Sequence, residues 1–255
     1  MNLPGLPSIS GMVKVAANHF LVVHDTKGPV GGARLGVISV QKDGARYQDV
    51  DIHEWPSFEA IPNDIEGICE IPDRPNEYLI VESGFYQRKY GRVFKIRYPG
   101  GSVSGAEYIG SFRPFAPPID GDTPRHEQIE GIASVVFDRT MTLLFALRGA
   151  QNSPGTLVWG TLVDVETPRP SFYESCREPL SHCAIANRGA AALFLRPYTG
   201  SANSWEVLSV ATLDPDDNLG PFLSAIYSAG VVTATFGKIE FKLHSPSTFS
   251  GMSKA

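Results

Sequence analysis

The chain has 255 residues, 42% of them hydrophobic and 19% charged, a balance that can bury a core and excludes a disordered segment or a coiled coil. Acidic residues (27) outnumber lysines and arginines (22), the net charge is -5, and the densest cationic stretch is the short run Gln87-Arg88-Lys89-Tyr90-Gly91-Arg92; nucleic-acid binding, which needs a stripe of cations to displace counterions, is excluded. The 25 glycines and 20 prolines predict many turns and short strands, and argue against a helical protein.

The chain opens on Met1-Asn2-Leu3-Pro4-Gly5, without the basic start and apolar run of a secretory signal. No apolar stretch approaches the length of a membrane span, and no proline-free Asn-x-Ser/Thr acceptor occurs. The expectation is a soluble cytoplasmic protein with no membrane partner. Cys69, Cys176 and Cys183 form neither an even disulfide set nor a CxxC pair, and are expected to be reduced strand residues.

A repeat runs along the chain at spacings of roughly 50–65 residues. Its openings are Ser8-Ile9-Ser10-Gly11-Met12, Asp64-Ile65-Glu66-Gly67-Ile68, Gln128-Ile129-Glu130-Gly131-Ile132 and, more loosely, Pro179-Leu180-Ser181-His182-Cys183. Each opening leads to a nearly all-apolar second strand: His19–Asp25, Glu77–Ser83, Met141–Leu147 and Trp205–Ala211. Third strands follow at Ala33–Val40, Gly91–Tyr98, Thr156–Leu162 and Pro221–Tyr227, and they alternate more, as in Arg92-Val93-Phe94-Lys95-Ile96-Arg97. A continuous apolar run marks a strand covered on both faces, and alternation marks one that is wet on one side. Repeated antiparallel sheets with wetter strands toward the rim predict an all-β fold, a β-propeller of four-stranded blades. A sandwich would need no repeat, and a solenoid repeat would be about half as long. The expected units are 8–60, 61–120, 125–175 and 178–230, with 231–255 as a partial blade of one domain spanning 1–255. The count is about five blades, or a six-bladed ring lacking its last blade.

Three segments, Asp64-Ile65-Glu66-Gly67-Ile68, Leu79-Ile80-Val81-Glu82-Ser83-Gly84 and Asp214–Tyr227, resemble the phytase-like and SdiA-regulated-like propellers, often described as esterase-like. These are similar in architecture to the calcium-dependent phosphotriesterases. The resemblance implies a propeller, and in its calcium-dependent members acidic residues opening the innermost strands hold a metal. The matching positions here are Glu66 and Glu130, with Asp64 beside them; Ser10 and Ser181 stand in the other two units and are weaker ligands. Calcium takes six to eight oxygens, so calcium is the cofactor expected if there is one.

Other candidates come from position. Glu66 and Glu130 would also serve as an acid/base pair, or as hydrated glutamates bonded to loop amides. His24, Asp25, Glu82 and Arg148 lie at the ends of second strands, where repeat-equivalent loops gather and a small-molecule or protein ligand is expected to bind. His126, in Arg125-His126-Glu127-Gln128, is a candidate base or a solvated loop histidine. The run Asp214-Pro215-Asp216-Asp217-Asn218-Leu219-Gly220 has its glycine one place late for a calcium loop, and reads as a tight turn. Gly101-Ser102-Val103-Ser104-Gly105 has Val where a nucleophile elbow needs Ser, and there is no His-Glu-x-x-His. Two functions remain: a propeller that binds a ligand or partner at its loop face, and a calcium-assisted hydrolase of a phosphoester, ester or lactone.

Overall fold

The computed structural model describes residues 9–27, 33–57, 60–84, 91–100, 105–115, 128–148, 155–180, 189–213, 223–235 and 238–248. Among them are sixteen strands and no helix, so none is long and apolar enough to cross a membrane. The strands are β1 (Ile9–Ala16), β2 (His19–His24), β3 (Leu35–Gln41), β4 (Gly44–His53), β5 (Ile65–Glu70), β6 (Glu77–Glu82), β7 (Val93–Arg97) and β8 (Gly105–Phe112). They continue as β9 (Ile129–Phe137), β10 (Thr140–Leu147), β11 (Thr156–Val163), β12 (Ser171–Pro179), β13 (Leu193–Pro197), β14 (Ser204–Leu213), β15 (Leu223–Thr235) and β16 (Lys238–Thr248). Contacts divide the chain into two compact units, Met1–Ile129 with Val163–Phe172, and Glu130–Leu162 with Tyr173–Ala255.

In the first unit, β1 to β4 and β5 to β8 are two four-stranded antiparallel meanders, joined into one sheet by parallel pairing of β4 with β8. Their inner strands also meet. A Cβ on Gly11 of β1 would lie 2.9 Å from the Gly67 Cα of β5, and the Ser10 hydroxyl donates to the Ile65 carbonyl. The core between the two meanders is built from alternate residues: Leu21 and Val23 of β2 with Ile80 of β6 and Phe94 and Ile96 of β7. Trp55 packs at the margin, edge-on to Phe94 with ring centroids 5.7 Å apart, and tilted against Tyr108. The second face of β6 and β7 is covered as well, and it holds the charged Lys95, 1% exposed, whose Nζ lies 2.9 Å from Glu77 and donates to the Val165 carbonyl at 2.7 Å. The residues 163–172 thus pack on the first unit through a buried cation.

In the second unit, β9 to β12 and β13 to β16 form two further four-stranded sheets. Leu144 and Ala146 of β10 and Leu157 and Trp159 of β11 pack with Val207 and Ala211 of β14 and with Tyr227, Ala229 and Val232 of β15. The two-residue turn from β9 to β10 places Asp138 and Arg139 at φ 47° and 61°, the left-handed pair that matches hairpin twist. Gly131 of β9 sits where a Cβ would come within 2.6 Å of the Leu193 nitrogen of β13. The glycine shared by the openings is therefore a point of close strand approach in both units, which is why the motif recurs.

Two boundaries differ from the sequence expectation. The fourth opening, Pro179-Leu180-Ser181-His182-Cys183, does not begin a sheet: Pro179 ends β12, Leu180 is buried in the second core, and 181–188 lie outside the described residues. The fourth sheet begins instead at Leu193. Residues 231–248, expected as a separate partial blade, complete that sheet as the second half of β15 and all of β16. The register of β14 with β15 shifts at Val207/Leu208, and that of β15 with β16 at Ser228/Gly230. A Cβ on Gly230 would collide with the Lys242 carbonyl, so Gly230 marks a bulge within a long strand.

Candidate functional site

The site is assembled where β2 ends and β5 begins. The Thr26 amide donates to the His24 carbonyl at 2.8 Å, and the Asp64 amide donates to the Thr26 carbonyl at 3.1 Å, so the two chain segments are stitched side by side. Asp64 adopts φ 57°, a left-handed conformation that Asp tolerates better than most residues, and its carbonyl accepts from the Ser83 amide at 2.9 Å. The β5–β6 register then shifts between Ile65 and Gly67, leaving Glu66 as a bulge residue. The β1–β2 register shifts at the same repeat position, around Ser10. Bulges re-aim side chains out of the ladder alternation.

The outcome is a cluster. Asp25, Asp64 and Glu66 each offer a carboxylate oxygen, and these oxygens all lie within 4.8 Å of one another. The Lys27 ammonium stands 3.5 Å from Asp25 and 3.7 Å from Asp64. Asp25 Oδ1 and Asp64 Oδ1 are shut off from solvent and accept no hydrogen bond from the described residues. Burial, with the hydrogen bond and negative charge of Asp64, pushes the Asp25 carboxyl up to about 7, against the weaker opposing pull of Lys27. The Lys27 ammonium is held above its ordinary value: burial works against it, and the charges of Asp64, Asp25 and Glu66 outweigh burial. The Asp25 carboxyl is thus part-protonated near neutrality. All donors are carboxylate oxygens, a set that suits a hard cation such as calcium rather than zinc.

His24 and Glu82, of the same unit, bond to other partners. His24 is fully buried, with Nε2 2.8 Å from the Tyr47 hydroxyl. Glu82, also fully buried, is a clamp: it accepts from the Asn63 amide at 2.8 Å and from Arg92 Nε and Nη2 at 2.9 and 2.7 Å. Arg92 reaches on to the carbonyls of Ala60 and Ile61, and Arg34 donates to Pro62 at 2.6 Å, so this network fixes the segment that delivers Asp64. Glu130 and Arg148 belong to the second unit and pair there at 2.6 Å. His126 and Ser181 lie outside the described residues. Cys69 and Cys176 form no disulfide among the described residues, and Cys183 is also outside them. Sequence reasoning missed Lys27, whose only signal is a cation two residues past Asp25 in a loop that faces other acids.

Replacing Arg92 with alanine leaves the Glu82 carboxylate buried with backbone amides as its remaining partners; chemical denaturation is expected to show a loss of about 2 kcal/mol.

No protein-family model and no curated protein sequence matches the chain. Solved structures do. An exo-1,5-alpha-L-arabinanase from a bovine ruminal metagenomic library superposes with a TM-score of 0.51 at 11% identity, over 95% of this chain and 78% of that one. The fold is a β-propeller. Within it, the described residues supply two four-stranded meanders joined in one eight-stranded sheet, and two separate four-stranded sheets. An exo-beta-1,3-galactanase from Phanerochaete chrysosporium also matches, with a TM-score of 0.49 at 13% identity over 93% of this chain; the propeller described here spans 50% of that chain's length. At 11% identity the arabinanase likeness shows the fold alone, and a fold does not settle a function.

Proposed function

We propose that this propeller binds a divalent cation, calcium first, through Asp25, Asp64 and Glu66, and through the cation takes an oxygen-rich ligand that it holds or hydrolyses. One observation carries the reading: three carboxylates converge within 4.8 Å, two of them with buried oxygens that no described hydrogen bond satisfies. Arg92 and the Asn63 amide answer Glu82 at hydrogen-bond distance, whereas the Lys27 ammonium reaches Asp64 Oδ1 only at 3.7 Å, beyond hydrogen-bond range. Calcium would supply the missing charge and polarise a ligand oxygen, with ligand and water oxygens completing its shell. Lys27, whose side chain is 58% exposed, has room to swing into solvent when the cation enters.

Chelator-stripped protein is expected to melt higher when calcium is added, saturably and by mass action. Asp64→Asn should remove the shift while leaving the metal-free melting temperature nearly unchanged, because Asn also tolerates the left-handed backbone. No shift at millimolar calcium would overturn the reading.

A second reading rests on the raised Asp25 carboxyl. A group titrating at about 7 beside Glu66 has the properties of a general acid, and the pair would then hydrolyse an ester, lactone or glycoside without metal. Hydrolysis that persists in chelator and disappears in Asp25→Asn would favour it over the first.

A further inference from the structure

We infer that the second unit carries a separate binding cleft for a small organic cation, a quaternary or protonated amine on a short hydroxylated chain. The cleft has a volume of about 520 Å³, within the range of about 300–1,000 Å³ typical of small-molecule sites. It forms because the second core ends at Trp159 and Phe241, whose rings meet edge-on at 6.0 Å, and beyond them β16 parts from the β9–β12 sheet. The Trp159 indole nitrogen donates to the Ile239 carbonyl at 3.3 Å and fixes this wall.

The lining has two chemistries. Phe137, Trp159 and Phe241 give an aromatic back, which attracts a cation through the ring quadrupole. Two carboxylates join them. Glu178 shares its strand face with Cys176, which packs on the second core, so strand alternation directs it to the cleft side of β12. Asp138 stands at the mouth in the β9–β10 turn. The other charged pair in the lining, Lys238 with Glu240, closes on itself at 2.5 Å and contributes no net charge. The cleft is therefore net negative in a chain whose own net charge is -5, a field that favours cations and disfavours anions. Thr142 and Thr161, paired across β10 and β11, add hydroxyls for a ligand hydroxyl. Aromatic surface with negative charge that no described residue pairs distinguishes this site from the all-oxygen cluster of the first unit, and the two proposals stand or fall separately.

The probe is choline, compared with its uncharged isostere 3,3-dimethylbutanol, each titrated into the full chain and followed by saturation-transfer NMR and tryptophan fluorescence. Choline should bind saturably and about tenfold more tightly than the isostere, the gain expected when an aromatic face and a carboxylate act on the charge. Glu178→Gln, at a half-exposed strand position that leaves the core intact, should remove most of that preference, and Trp159→Phe should weaken choline without equalising the two ligands. Equal affinities for choline and the isostere would mean an apolar cavity and overturn the inference. So would the absence of saturable choline binding at tens of millimolar, or an unchanged preference in Glu178→Gln.

Discussion

Glu77→Ala is expected to destabilise the protein by about 3–5 kcal/mol, the loss seen when one partner of a buried ion pair is removed. Glu77 is the common acceptor for Lys95 at 2.9 Å, Arg97 at 3.0 Å and Arg74 at 3.8 Å. Arg97 is half in solvent and can rehydrate; Lys95 is 1% exposed and cannot. Without Glu77 the ammonium keeps only the Val165 carbonyl among its described partners. The substitution strands a cation rather than deleting a contact, and a paired change tests that cause. Glu77→Leu with Lys95→Met replaces the ions by apolar side chains and should recover most of the loss; a double variant as unstable as Glu77→Ala would refute it. Urea unfolding reads both. The pH dependence has a definite sign. Burial tends to raise the Glu77 carboxyl, but Lys95 and Arg97 hold it below its ordinary 4.5. Its contribution is therefore complete above about 4.5 and is lost as pH falls through its lower folded value.

Asp25→Asn is expected to act in the opposite direction. In the folded chain the Asp25 carboxyl titrates at about 7, against 3.8 when free of these surroundings. Between those values the folded state holds a proton that the unfolded state has released, so wild-type stability falls as pH rises through the window. Asn keeps the shape and cannot ionise. In chelator at pH 8 the variant should be more stable than wild type by about 1–2 kcal/mol, allowing for the side chain's partial exposure. The difference should vanish near pH 4. Calcium should reverse the order, stabilising wild type and leaving the variant where it was. Thermal melts at three pH values with and without calcium read all of this. An Asn variant less stable than wild type in chelator would show that Asp25 is ionised and already compensated.

Legibility followed solvent exposure and backbone strain. The second strands β2, β6 and β10 are largely covered on both faces, so they read as apolar runs and their positions are close to those in the structure; β14 alternates buried and half-buried residues but is still mostly apolar. The repeating glycines were readable because two backbones approach there and no side chain fits. Outer strands were poorly visible: β4, Gly-Ala-Arg-Tyr-Gln-Asp-Val-Asp-Ile-His, and β12, Ser-Phe-Tyr-Glu-Ser-Cys-Arg-Glu-Pro, are largely exposed and carry no clean period. The fourth opening was misplaced because Leu180 is buried like the true openings, and burial alone does not tell a strand start from a strand end. In the site, Asp25, Asp64 and Glu66 were each nameable as acids at strand ends. Their meeting was not, because it depends on the Thr26–Asp64 backbone bond, on a left-handed Asp64 and on a bulge at Glu66. None of these has a composition signature. Glu82 and His24 occupy equivalent strand-end positions, and their bonds to Arg92 and Tyr47 hold structure in place.

The most direct test is a calcium titration in weakly buffered solution that counts protons. If the cation takes the place of the proton on Asp25, each calcium bound near pH 6 should release close to one proton, falling toward none at pH 8. Saturable binding with no proton release at pH 6, or no binding at all, would contradict the proposed site.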